Sequence, residues 1–173
     1  MKNSISIFVN GVQHLVSRED AFMPLADFIR YKIHKRGTKI VCAEGDCGAC
    51  TILVAKLDSD KPNYKSINSC IGFVFQYAGQ SVITVEGLES KDGLSPVQDS
   101  MAKNHGAQCG YCTPGIVSSM TSLMEDSIIQ KFEVTEKKVQ NYLTGNLCRC
   151  TGYEPIIKAG IETDRTKYKL LNE

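Results

Sequence analysis

The chain has 173 residues, 42% of them hydrophobic and 23% charged, enough to bury a core and stay soluble. Twenty basic residues against nineteen acidic ones leave a formal charge of +1, which gives no electrostatic case for nucleic acid or an anionic membrane surface. The segment from Met1 to Gly11 is too polar for a signal peptide, and no apolar run is long enough to span a bilayer. A cytoplasmic protein is expected, and there eight cysteines read as metal ligands or reactive thiols rather than disulfides.

Taken in order, residues 5–9 read as a strand, Asn10-Gly11 as a tight turn, and Val12, His14 and Val16 as the returning strand of a hairpin. Pro24 can open a helix with Leu25, Phe28, Ile29 and Ile33 on one face, and Gly37 can end it. After a cysteine-rich loop, residues 51–55 read as a strand. A polar turn over 58–66, a return to Cys70 and a strand at 82–85 follow.

Beyond Glu86-Gly87 the hydrophobic period lengthens to that of helices. Ser95-Pro96 reads as an N-cap followed by proline at the first helical position, with Gly106 as the stop. Thr113-Pro114 repeats the pattern before a long apolar face of Ile116, Val117, Met120, Leu123 and Met124. Thr135 can cap a third helix ending at Gly145, and Pro155 can start a fourth carrying Ile156, Ile157 and Ile161. The reading is α+β: a β-grasp ferredoxin-like domain over 1–85, then a four-helix bundle over 86–173 whose last residues are a loose polar tail.

The chemistry lies in the cysteines. Cys42, Cys47 and Cys50, with Cys70, have the C-x4-C-x2-C…C spacing of a plant-type [2Fe–2S] site. Gly45 and Gly48 stand between ligands, where the backbone must turn its N–H groups inward and positive φ is expected. The second set, Cys109, Cys112, Cys148 and Cys150, falls at the ends of the expected helices. A second [2Fe–2S] cluster is the first reading. A structural zinc site accepts the same four thiolates, and C-x2-C alone is also a redox motif, so a zinc-binding or redox-sensing module stays open. His14, His34 and His105 read as surface or capping residues, Met120 and Met124 as core, and Lys137-Lys138 as a solvated face. Arg149, between two ligands, reads either as a surface charge or as a group that tunes the cluster or meets a partner.

The segments 37–39, 42–51, 84–88, 108–115 and 145–153 resemble the iron–sulfur part of the molybdenum hydroxylases. That family includes xanthine dehydrogenase, aldehyde oxidoreductase and the small subunit of aerobic CO dehydrogenase. The resemblance runs from about residue 4 to about residue 160. It implies two [2Fe–2S] clusters in an electron-transfer component of xanthine dehydrogenase type, with FAD and molybdopterin on partner subunits or domains. The set at Cys109 would lie on the molybdopterin side, with Gln108 and Cys150 touching the pterin, and the set at Cys42 on the flavin side. Electrons would pass from molybdenum through both clusters to FAD and then to NAD or another acceptor. Val41 and Ala43 replace glycines common in the family, Tyr111 a frequent Phe, and Glu154 a frequent Arg. In many bacterial relatives a flavin domain follows in the same chain. The protein is therefore expected to be either a free-standing small subunit of a hetero-oligomer or a domain of a longer chain.

Overall fold

The structure is a computed structural model that describes residues 4–57, 63–89 and 93–171. Strands β1 (Ser4–Val9) and β2 (Val12–Ser17) form the expected hairpin. Asn10 and Gly11 take φ of 50° and 79°, both positive as a type I′ turn requires. The Asn10 carboxamide then reaches across the molecule, donating to Thr84 Oγ1 and accepting from the Thr84 N–H at 2.9 Å each. Strands β3 (Thr51–Lys56), β4 (Lys65–Asn68) and β5 (Gln80–Ile83) complete a mixed sheet of order β2-β1-β5-β3-β4, in which only β1 and β5 run parallel. The expected turn over 58–66 lies partly outside the described residues, and its last two residues open β4.

The first helix differs from expectation. It begins as α1 (Leu25–Asp27), widens into a π-type turn over Phe28–Lys32, and stops at His34, whose φ is 63°. The Lys35 N–H then closes on the Ile29 carbonyl at 3.0 Å, a Schellman-type end, so Gly37 is not the stop. Gly37 is small for another reason: a Cβ there would sit 2.5 Å from Val85 and 2.7 Å from Glu86.

Four helices follow: α2 (Pro96–Lys103), α3 (Thr113–Ile129), α4 (Glu136–Tyr142) and α5 (Glu154–Ile161). They touch in a ring, α2 on α3, α3 on α4, α4 on α5 and α5 on α2. Ser95 caps α2 in a full capping box with Gln98, and Thr135 caps α4 by accepting from the Lys138 N–H, both as expected. Other boundaries shift. His105, with φ 54°, takes the left-handed position after α2, while Gly106 lies where a Cβ would strike Met101. Cys112, not Thr113, stands at the N-cap of α3, and the buried Thr113 hydroxyl has no partner. α4 closes at Leu143 before reaching Gly145, and Ile161 at the end of α5 is exposed.

Strand β3 carries the architecture. Ile52 and Val54 face a core with Ile7, Val9, Leu25, Phe28 and Ile29; Leu53 and Ala55 face the opposite core with Ile116, Met120 and Leu123. Strict alternation on a strand covered on both sides makes β3 apolar throughout. The covering helix α3 is buried all round rather than on one face, because the sheet, α2, α4 and the C-terminal segment enclose it. Its buried acids are answered. Asp126 meets Lys65 at 2.5 Å and the Tyr142 hydroxyl at 2.8 Å, and Glu125 accepts the Leu171 N–H at 3.0 Å.

The segment expected to be a loose tail instead packs down. Thr163 is buried, and Tyr168 and Leu171 lie against the helical core, with burial pushing the Tyr168 phenol far up. Tyr168→Ala is therefore expected to cost about 2 kcal/mol, lowering Tm by about 4–8 °C; a loose tail would leave a thermal melt unchanged.

Candidate iron–sulfur sites

All eight cysteines are free, and within each set of four the thiols lie in neighbouring pairs. In the first, Cys42 pairs with Cys47, and Cys50 with Cys70. The loop holding three of them turns through positive φ at Ala43 (58°), Gly45 (84°) and Gly48 (68°). That winding aims amides at sulfur: the Cys47 N–H lies 3.4 Å from Cys42 Sγ, with those of Glu44 and Asp46 also donating. The Cys47 and Glu44 donors hold the Cys42 thiol down to about 6, favouring the thiolate a metal needs. Burial pushes the Cys70 thiol up to about 12, with the Cys50 thiol adding to the shift and the Gly45 N–H opposing it. Behind the loop, Asn68 Nδ2 donates to the Gly45 carbonyl at 2.5 Å, and Ser69 Oγ to the Cys50 carbonyl at 2.7 Å.

In the second set Cys109 and Cys150 stand 3.5 Å apart, both exposed, and Cys112 pairs with Cys148 deeper in. The Tyr111 N–H holds the Cys109 thiol below its ordinary value, while the neighbouring Cys109 raises that of Cys150. Burial pushes Cys112 up to about 12. Burial also acts upward on Cys148, but the Thr151 hydroxyl, 3.1 Å from its sulfur, and the Thr151 N–H bring the net shift below the ordinary value. Tyr153, with φ 68°, starts α5 and returns its hydroxyl to the segment, accepting from the Cys148 N–H at 2.9 Å and donating to the Asn146 carbonyl at 3.0 Å.

Two thiol pairs side by side are what two irons with two thiolates each require. A single zinc would draw four thiolates around one point. The donor set, its pairing and the inward amides fit [2Fe–2S] clusters at both places. Gln108 is exposed beside Cys109, and Arg149 is exposed between Cys148 and Cys150. His34 and His105 end helices, His14 is half-buried on β2, and Lys138 lies over the Phe132 ring at 4.6 Å; none of these belongs to either thiol group.

The sequence reading missed what joins the sites. Asn146, almost fully buried, donates to the Gly48 carbonyl at 3.0 Å, and the Leu147 N–H donates to the Cys47 carbonyl at 2.9 Å. The only signal was position, two residues before Cys148.

Comparison with known proteins agrees with the geometry. The sequence model of the [2Fe-2S] binding domain family matches residues 84–160. The chain is 38% identical in sequence to a chain of quinoline 2-oxidoreductase from Pseudomonas putida 86, with a TM-score of 0.76, covering 92% of this chain and 90% of that one. The chain belongs to the iron–sulfur subunits and domains of the molybdenum hydroxylase family. The aldehyde oxidoreductase from Desulfovibrio gigas superposes with a TM-score of 0.80 at 29% identity, over 92% of this chain and 16% of that one. Xanthine dehydrogenase of Blastobotrys adeninivorans is 43% identical over 159 residues, and xanthine dehydrogenase/oxidase of Mus musculus 41% over 158 residues. The chain spans only 11% and 12% of the length of those two relatives.

The close contact between the two sites makes a sharp mutational contrast. A Cβ on Gly48 would lie 2.1 Å from the Gly145 carbonyl at a φ that alanine resists, so Gly48→Ala should cost about 2–4 kcal/mol in thermal or denaturant unfolding. Ala43 is exposed at φ 58°, where glycine relieves strain, and Ala43→Gly should gain about 0.5 kcal/mol in the same measurement.

Proposed function

We propose that this chain is the electron-transfer component of a molybdenum hydroxylase, of xanthine dehydrogenase type. In this reading Cys42, Cys47, Cys50 and Cys70 hold one [2Fe–2S] cluster, and Cys109, Cys112, Cys148 and Cys150 the other. The observation that carries it is the pairing of four thiols at each of two places in one chain. Bound there, the clusters supply one-electron carriers between a molybdopterin centre and FAD, with NAD or another acceptor beyond. The chain's own part is to hold thiolates, aim amides at sulfur and keep the two sites at a fixed spacing. The substrate chemistry belongs to a partner subunit or domain, and a hetero-oligomeric assembly in the cytoplasm suits that division of labour. No helix among the described residues is long and apolar enough to cross a membrane.

The architecture is read as two modules meeting near residues 85 and 86, a β-grasp domain and a four-helix bundle. The mixed sheet with its parallel β1–β5 pair and the ring of four helices support it. Gln108 and Cys150 are assigned to the molybdopterin side, which their exposure supports. The more buried Cys50–Cys70 pair belongs to the flavin-side site, whose Cys42–Cys47 pair is the more accessible.

Iron analysis and EPR of the dithionite-reduced chain test this reading. Two distinct signals and about four irons per chain are expected. Replacing Cys109 and Cys150 together by Ser should remove one signal and about two irons while the other signal persists. One signal with two irons and bound zinc would overturn the relay and leave a ferredoxin joined to a zinc module.

A further inference from the structure

The two cysteine segments are far apart in sequence but form one block in space. Their contact is built from backbone and the buried Asn146 side chain, with the Thr51 and Ser119 hydroxyls around it. Gly48, between ligands Cys47 and Cys50, lies under Gly145 and Asn146, and a Cβ on Gly115 would stand 2.1 Å from the Gly48 carbonyl. No side chain fits at Gly115, where α3 meets the first cysteine loop. Into this contact Asn146 sends its carboxamide, which is 3% exposed as a residue. Nδ2 donates to the Gly48 carbonyl at 3.0 Å and lies 3.4 Å from Thr51 Oγ1; Oδ1 accepts from Ser119 Oγ at 2.6 Å. One residue later the Leu147 N–H donates to the Cys47 carbonyl, and the next residue is Cys148.

The Gly48 carbonyl is the centre of this contact. It accepts from the Thr51 N–H at 3.1 Å, from Thr51 Oγ1 at 2.7 Å and from Asn146 Nδ2. A trans peptide is planar, so a Gly48 carbonyl held toward the bundle turns the N–H of Ala49 the opposite way, and the peptide between Cys47 and Cys50 is fixed in one orientation. Over this stretch the loop is otherwise held by the Leu147 N–H at the Cys47 carbonyl, by Asn68 at Gly45 and by Ser69 at Cys50. It contains no regular secondary structure between His34 and Thr51, and its outer residues Val41, Ala43, Glu44 and Asp46 are exposed. Its inner edge is therefore fixed from outside.

We propose that Asn146 is a positioning residue for the Cys42, Cys47, Cys50 and Cys70 site, although it lies in the segment of the other four cysteines. By holding the Gly48 carbonyl it sets the peptide orientation between two ligands of the first site, and by its place two residues before Cys148 it fixes that site's register against the second. Ser119 orients the carboxamide so that its donor end, not its acceptor end, faces Gly48. This inference rests on the reading that both sets hold [2Fe–2S] clusters.

The test compares the iron-loaded full chain with Asn146→Ala, Ser119→Ala and Val139→Ala. Val139 is equally buried in the bundle and is not part of this contact, so it controls for lost stability alone. The readouts are the EPR signal of the first site, assigned as the one that survives joint replacement of Cys109 and Cys150 by Ser, its midpoint potential, and its rate of iron loss to a chelator. Asn146→Ala should change the line shape and potential of the first-site signal and speed its iron loss several-fold. Ser119→Ala should act in the same direction to a smaller extent, and Val139→Ala should lower Tm without moving the signal. An unchanged first-site signal and potential in Asn146→Ala with about four irons bound overturns the proposal. So does an equal change in Val139→Ala. If Asn146→Ala takes up no iron, Ser119→Ala decides by the same criteria, a changed first-site signal supporting the proposal and an unchanged one overturning it. Failure of the unsubstituted chain to give two signals overturns the cluster reading itself, and that result is seen before any of these variants is compared.

Discussion

The fold depends on one close approach, the meeting of Gly48 with Gly115, Gly145 and Asn146. At Gly48 and Gly115 the backbone of the facing segment occupies the space that a Cβ would need, and Gly145 contributes its carbonyl to the contact. A contact of this kind has little apolar area to stabilise it, so hydrogen bonds must do so. The Gly48 carbonyl with three donors and the Cys47 carbonyl with the Leu147 N–H fill that role. Polar groups in such a dry place cost free energy unless answered, and here both carbonyls are answered across the contact. Small residues bring the segments together, and the hydrogen bonds give the approach a single register.

The same logic explains the polar residues of α3. A helix enclosed on all sides is expected to be apolar all round, yet Ser118, Ser119, Thr121, Ser122, Glu125, Asp126 and Ser127 are buried on it. Short side chains let the helix lie close to β3, where Leu53 and Ala55 meet Ile116 and Met120. Ser118 and Ser127 return their hydroxyls to the helix's own carbonyls, while Ser119, Glu125 and Asp126 each serve another segment. Through these three residues α3 ties down the cysteine segment at Asn146, the chain end at Leu171, and β4 at Lys65.

Much of this was legible in the sequence because local chemistry decides it. Asn10-Gly11 requires a type I′ hairpin, Ser95 with Gln98 writes a capping box, and cysteine spacing divides the eight thiols into the two sets within which the structure pairs them. What misled were glycines read as helix stops. Gly37 and Gly106 are small because Glu86 and Met101 crowd them, and the left-handed positions that end those helices fall to His34 and His105. Sequence alone cannot distinguish a glycine needed for its φ from one needed for its missing Cβ. The packed C-terminal segment was illegible for a related reason: Tyr168 and Leu171 are too sparse to show a period, and their partner Glu125 reads as a surface charge on an amphipathic helix.

Ala43 shows where the two kinds of constraint separate. It sits at φ 58° in the first cysteine loop, a conformation that glycine adopts freely and alanine only at a cost of about 1 kcal/mol. The neighbouring Gly45 and Gly48 are also left-handed, but Gly45 is crowded by Ile71 and Gly48 by the second cysteine segment, so each needs both its φ and its missing Cβ. Ala43 has its side chain in solvent and needs only the φ. Strain at that one exposed position can be carried by the rest of the loop, which is held by Asn68 at Gly45, by Ser69 at Cys50 and by Asn146 at Gly48. The substitution is tolerated because the loop's geometry is imposed from its inner edge, and the outer turn follows.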